Sequence, residues 1–82
     1  MYRVELTRQA QKQLNGLPGQ IQQRIATKLR ALQADPRPDG SLKLTADEGH
    51  RVKVGDYRIK YLIDDDARLV TVTKLGPRQN FY

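Results

Sequence analysis

Arg51-Val52-Lys53-Val54-Gly55-Asp56-Tyr57-Arg58-Ile59-Lys60-Tyr61 sorts apolar from basic side chains with a period of two on both sides of a Gly-Asp pair. That is the pattern of two β-strands joined by a tight turn. A two-residue loop at Gly55-Asp56 sets the register: Val54 opposite Tyr57, Lys53 opposite Arg58, Val52 opposite Ile59 and Arg51 opposite Lys60. One face of the hairpin is then apolar, and the other carries Arg51, Lys53, Arg58 and Lys60. Like charges directly across strands destabilise a sheet. A block of them, with only the loop Asp56 nearby, calls for an anion from outside the fold.

Upstream, Tyr2, Val4 and Leu6 alternate with Arg3 and Glu5, which predicts a first strand ending near Thr7, a residue able to cap a helix. Ala10, Leu14 and Leu17 then recur at helical spacing up to the breakers Asn15-Gly16 and Pro18-Gly19. Ile21, Ile25, Leu29 and Leu32 form one stripe over residues 20–33, the mark of an amphipathic second helix. Pro36 and Pro38 stop it, because each removes an amide donor and restricts the residue before it. Leu42-Lys43-Leu44 is a short apolar piece, residues 45–49 a polar turn, and His50 reads as an exposed turn residue.

Downstream, Asp64-Asp65-Asp66 reads as a solvated turn, since neighbouring carboxylates on an extended chain diverge. The β-branched run from Arg68 to Leu75 follows as a strand. The expected order is β-α-α-β-β-β, an α+β fold with residues 1–82 as one domain. Its N-terminal strand and two-helix hairpin pack on one face of a twisted, mainly antiparallel sheet of about four strands. Val52, Val54, Tyr57, Ile59, Tyr61 and Ile63 should face the helices, and the hairpin's cations the open side.

With 82 residues the chain has room for a small core, so function is expected on its surface. A net charge of +6 fits a protein that meets polyanions. There is no Cys and one His, which leaves no disulfide, no thiol nucleophile and no cage for zinc; no metal and no cofactor is expected. Residues 1–6 lack the apolar core of a signal peptide and no apolar run is long enough to span a membrane, so a cytoplasmic protein is expected.

Gly55-Asp56-Tyr57-Arg58 with Tyr61 three residues on, preceded by Leu42-Lys43-Leu44 and followed by Gly76-Pro77-Arg78 and Tyr82, resembles the RelE/ParE superfamily of bacterial toxins. The resemblance covers nearly the whole chain and is closest to RelE-type members of type II toxin-antitoxin systems. It implies a RelE-like fold and a metal-independent endoribonuclease that cleaves mRNA in the A site of the 70S ribosome, inhibiting translation. It also implies a cognate antitoxin as partner. ParE-type members on the same fold inhibit DNA gyrase and generally lack the RelE set of basic groups. A non-catalytic RNA-binding module is a third reading.

The resemblance assigns the working groups to Arg51, Lys53, Arg58, Arg78 and Tyr82. Their chemistry suits RNA, whose own 2′-hydroxyl can attack the adjacent phosphate if a base, charge stabilisation and an acid are supplied. Lys53, whose neighbouring cations oppose a further positive charge, is a candidate base or else a phosphate-positioning lysine. Arg58 has the planar fork that matches phosphate oxygens. Arg78 either shares that task or passes a proton to the leaving oxygen. Tyr82 stacks on a splayed base, carries a proton, or docks the tail. Lys43, Lys60 and Lys74 are expected to touch backbone phosphates.

Overall fold

The hairpin forms in the expected register. In the computed structural model, which describes residues 1–44 and 49–80 (Asn80 by its backbone alone), β3 (His50–Val54) pairs antiparallel with β4 (Tyr57–Asp64). The partners are Arg51↔Lys60, Val52↔Ile59, Lys53↔Arg58 and Val54↔Tyr57. Gly55 takes φ 59°, the left-handed start that a two-residue loop of the II′ kind needs and that glycine adopts without strain.

Around the hairpin, the elements follow from local signals. β1 (Arg3–Leu6) ends at Thr7, whose Oγ1 accepts from Ala10 N at 3.2 Å and caps α1 (Arg8–Asn15). Gln22, in the first turn of α2 (Gly19–Ala34), donates from Nε2 to Leu17 O at 2.8 Å and Asn15 O at 3.3 Å. It thereby satisfies carbonyls orphaned where α1 stops and fixes the angle of the helical hairpin. The apolar residues of α2 face the sheet, with Ile25 and Leu32 fully buried. Each such side chain contributes at most about 1.5–3 kcal/mol.

Two further strands complete a five-stranded sheet of order β1-β5-β4-β3-β2, with β2 at Leu42–Lys43 and β5 at Leu69–Pro77. The sheet is thus one strand wider than the sequence suggests, because Leu42 and Lys43 pair with Arg51 and His50. β1 runs parallel to β5 and the other pairings are antiparallel. Arg78–Asn80 form a 3-10 turn after β5.

An irregularity in β5 decides which side chains share a face. Tyr61 pairs with Val72 but Lys60 with Lys74, so Thr73 is an extra residue in the ladder. Val70 and Vals 72 and 52 are buried, and so is Leu75, although Leu75 lies an odd number of residues from Val72. Strict alternation would send Leu75 outward and Lys74 into the core. The bulge instead puts Lys74 and Gly76 on the open face beside Lys60 and Arg58.

Candidate nucleic-acid interface

The open face of the sheet carries two cross-strand rows at its hairpin end. One runs Leu42, Arg51, Lys60, Lys74, and the next Lys53, Arg58, Gly76. Lys53 is exposed, whereas Arg51, Lys60 and Lys74 are half-buried. Lys60 leans along the strand, its Cε 3.3 Å from where a Cβ on Gly49 would stand. Lys43 is not part of this surface. It pairs with His50, whose ring stacks on buried Tyr61 at 5.7 Å, so its row faces the helices rather than the open side.

Arg58 departs from the expectation of a cation displayed to solvent, since it is only 5% exposed. Its guanidinium folds back over its own turn, Nη1 donating to Gly55 O at 3.3 Å and to Tyr57 O at 3.1 Å. Nε is buried and has no hydrogen-bond partner among the described residues. A buried donor left unsatisfied costs roughly 1–3 kcal/mol, more when the group is charged. Across the ladder stands Gly76, where an added Cβ would meet no atom of the described residues within 4 Å.

The same turn gathers two more arginines. Arg78 donates its main-chain N–H to Asp56 O at 2.9 Å, which brings the end of β5 to the hairpin and places exposed Arg78 beside it. Arg24 reaches the turn from α2, and a Cβ on Gly55 would lie 2.7 Å from its Nη2. The sequence gives no hint of Arg24, which reads as one of several polar residues on the outer side of a helix. The structure therefore brings Arg51, Lys53, Arg58, Lys60, Lys74 and Arg78 to one end of the molecule and adds Arg24. Tyr82 lies outside the described residues.

His50, expected in an exposed turn, opens β3 with the parity of Val52. Its Nδ1 is buried without a partner among the described residues. Burial, and then the charges of Arg37 and Lys43, push its pKa below the ordinary 6.5, against an opposing effect of Asp65. The neutral ring belongs to the packing under the Pro36 loop, where Tyr61 donates its hydroxyl to Pro36 O at 2.8 Å. It takes no part in the basic face.

A family model described as the ParE toxin of type II toxin-antitoxin system, parDE, matches residues 4–82. Among solved structures, the chain is similar to one in the archaeal RelE–RelB complex of Pyrococcus horikoshii OT3, with 30% identity and a TM-score of 0.80 over 94% of each chain. It is similar at 25% identity to a chain of the RelBE2 toxin-antitoxin complex of Mycobacterium tuberculosis, with a TM-score of 0.82 over 94% of this chain and 98% of that one. A chain of the intact RelBE complex of E. coli shares the fold, with 20% identity and a TM-score of 0.83 over 94% of this chain and 96% of that one.

Proposed function

The chain belongs to the RelE/ParE family of type II toxin-antitoxin toxins, and from that membership we propose that it is a ribosome-dependent endoribonuclease that cuts mRNA in the A site and halts translation. The observation that carries this reading is Arg58, a buried guanidinium whose Nε lacks a partner among the described residues, across the ladder from Gly76 and beside Lys53. Nη1 is anchored by two carbonyls, which holds the plane of the group; Nε is shielded from solvent, so the guanidinium meets a phosphate oxygen through Nη2 or by swinging outward.

In the proposed reaction the 2′-oxygen attacks the adjacent phosphorus and the bond to the 5′-oxygen breaks. The products are a 2′,3′-cyclic phosphate and a 5′-hydroxyl. Lys53 is the group placed to take the 2′-hydroxyl proton. Arg58 stabilises the charge that develops on the non-bridging oxygens, where a preorganised donor is worth most. Arg78, set at the turn by its bond to Asp56, faces the leaving oxygen and steadies its charge while water supplies the proton it gains, and the proton held by Lys53 returns to solvent. Tyr82 stacks on a splayed base, and Arg51, Lys60 and Lys74 hold flanking phosphates.

Without a histidine pair at this face, the chemistry depends on positioning, which can supply about 7–11 kcal/mol of a barrier. That dependence is the reason to assign the ribosome as the partner that presents the RNA. The relatives in toxin-antitoxin complexes support a cognate antitoxin, whose acidic segment would cover the same cations and keep the cytoplasmic toxin inactive. No helix among the described residues is long and apolar enough to cross a membrane.

A second reading, inhibition of DNA gyrase without nuclease activity, is favoured by the ParE name of the matching family model. The two are separated by incubating purified protein with naked RNA, with programmed 70S ribosomes and with gyrase plus DNA. The expected result is cutting on ribosomes alone, leaving cyclic phosphate ends. Equal cutting of naked RNA contradicts ribosome dependence, and gyrase-dependent DNA breaks with intact RNA support the second reading.

A further inference from the structure

β5 outruns β1, and the space left between the strand end and α1 holds a small cavity. β1 stops at Leu6 opposite Val72, whereas β5 continues to Pro77. α1 covers part of the unpaired edge: Thr7 Oγ1 donates to Thr73 O at 3.4 Å, and Gln13 Oε1 accepts from Leu75 N at 2.8 Å. The remaining cavity, about 220 Å³, is lined by Lys12, Gln13, Leu17, Lys74, Gly76 and Pro77 among others.

We propose that this cavity is a subsite for one unpaired nucleobase of the RNA strand, and that Gln13 reads the edge of that base. The proposal rests on RNA being the substrate, as argued above. The orientation of Gln13 is determined by chemistry. Its oxygen is committed to a main-chain N–H, so the end left over is the Nε2 donor, which makes no other hydrogen bond among the described residues. A fixed donor at the wall of a pocket selects a base presenting a carbonyl oxygen or ring nitrogen and disfavours one presenting an amino group.

The rest of the lining fits the same ligand. Leu17 and Pro77 offer apolar surface for the flat ring, and Lys12 and Lys74 place ammonium groups for the sugar-phosphate chain. The volume is below the roughly 300–1,000 Å³ typical of drug-sized ligands, which suits a single base. The cavity is also continuous with the basic face: Lys74 shares a row with Lys60 and Arg51, Gly76 lies opposite Arg58, and Pro77 precedes Arg78. A strand with its scissile phosphate at Arg58 has its neighbouring nucleotide beside Lys74 and the cavity.

Gln13→Glu is the discriminating variant, because a carboxylate still accepts from Leu75 N but has no donor to give. Full-length wild type and Gln13→Glu are compared on 70S ribosomes carrying mRNAs that differ at each base of the A-site codon. Each is also titrated by NMR with uncleavable 2′-O-methyl RNA of mixed sequence. The expected result is that wild-type Leu75 and Gln13 amide signals move with RNA, and that Gln13→Glu shifts base preference at one codon position by about three- to tenfold at unchanged melting temperature.

Lys12→Ala should weaken the RNA titration severalfold without altering preference. Unmoved amide signals together with unchanged preference overturn the subsite while leaving the nuclease reading intact. RNA-induced shifts in a protein that cuts nothing retain the subsite and overturn the nuclease. Loss of antitoxin binding in Gln13→Glu, with preference unchanged, reassigns the cavity to the antitoxin and overturns the proposal.

Discussion

β4 begins and ends in hairpin turns of opposite charge, and the fold treats them differently. At the acidic turn, Asp65 accepts from the Tyr2 hydroxyl and from both Nη groups of Arg37, at 3.2 and 3.0 Å, and Asp64 accepts from Ala67 N at 3.0 Å. Two of its three carboxylates are answered from within the chain. At the basic turn, Arg58 leans on two neutral carbonyls, Arg24 packs on Gly55, and Arg78 arrives through a main-chain bond. Among the described residues neither ion pair involves Arg24, Lys53, Arg58 or Arg78. One turn is a finished piece of structure; at the other, Arg24, Lys53, Arg58 and Arg78 gather with no ion-pair partner among the described residues, the pattern of a face that takes up an anion.

The contrast breaks most visibly in activity. Arg58→Ala and Arg78→Ala should each lower single-turnover cutting on programmed ribosomes by about 10²- to 10³-fold, the usual loss of one transition-state donor. Asp65→Asn at the other turn should leave the rate within about threefold. A comparable loss from Asp65→Asn would end the division of labour.

Stability should follow the opposite pattern. Tyr61→Phe removes the hydroxyl that satisfies Pro36 O under the acidic turn, at a cost of about 1–3 kcal/mol read from urea melts, with the cutting rate of folded protein unchanged. Arg78→Ala, on an exposed side chain, should move the same melts by less than about 0.5 kcal/mol.

Smaller still are the pH effects, both from the acidic side. Hydrogen bonds from Arg37 and then Tyr2 hold Asp65 at about 2 against its ordinary 3.8. The folded chain therefore binds this proton less readily, so its share of stability is complete above 3.8 and is lost as pH falls towards about 2. Arg37→Ala should flatten that slope, which is shallow because the pair is exposed. His50, held neutral below its ordinary 6.5 chiefly by burial, takes up its proton first in the unfolded chain, so stability falls as pH drops through 6.5. Melts of His50→Phe across that range should lack the slope.

The basic turn was the more legible of the two in sequence. Alternation around Gly55-Asp56 specifies the register of β3 and β4 to the residue, and with it the faces of Lys53 and Arg58. The bulge at Thr73 leaves only a faint trace: apolar residues step by two from Val70 to Val72 and then by three to Leu75. His50 continues the alternation one residue upstream of Arg51, with the parity of Val52, although a single residue beside a polar turn gives that periodicity little weight. The inward turn of the Arg58 side chain and the approach of Arg24 leave no mark in periodicity, because they depend on side-chain packing between elements distant in sequence. Lys43 had no firm parity until β2 paired with β3.

The cations at the Gly55-Asp56 turn are proposed to cut mRNA. Brief induction followed by mapping of mRNA 5′ ends, wild type beside Arg58→Ala and Asp65→Asn, tests this most directly. The expected result is new in-frame ends in wild type and Asp65→Asn that disappear in Arg58→Ala. Undiminished in-frame cutting by folded Arg58→Ala would contradict it.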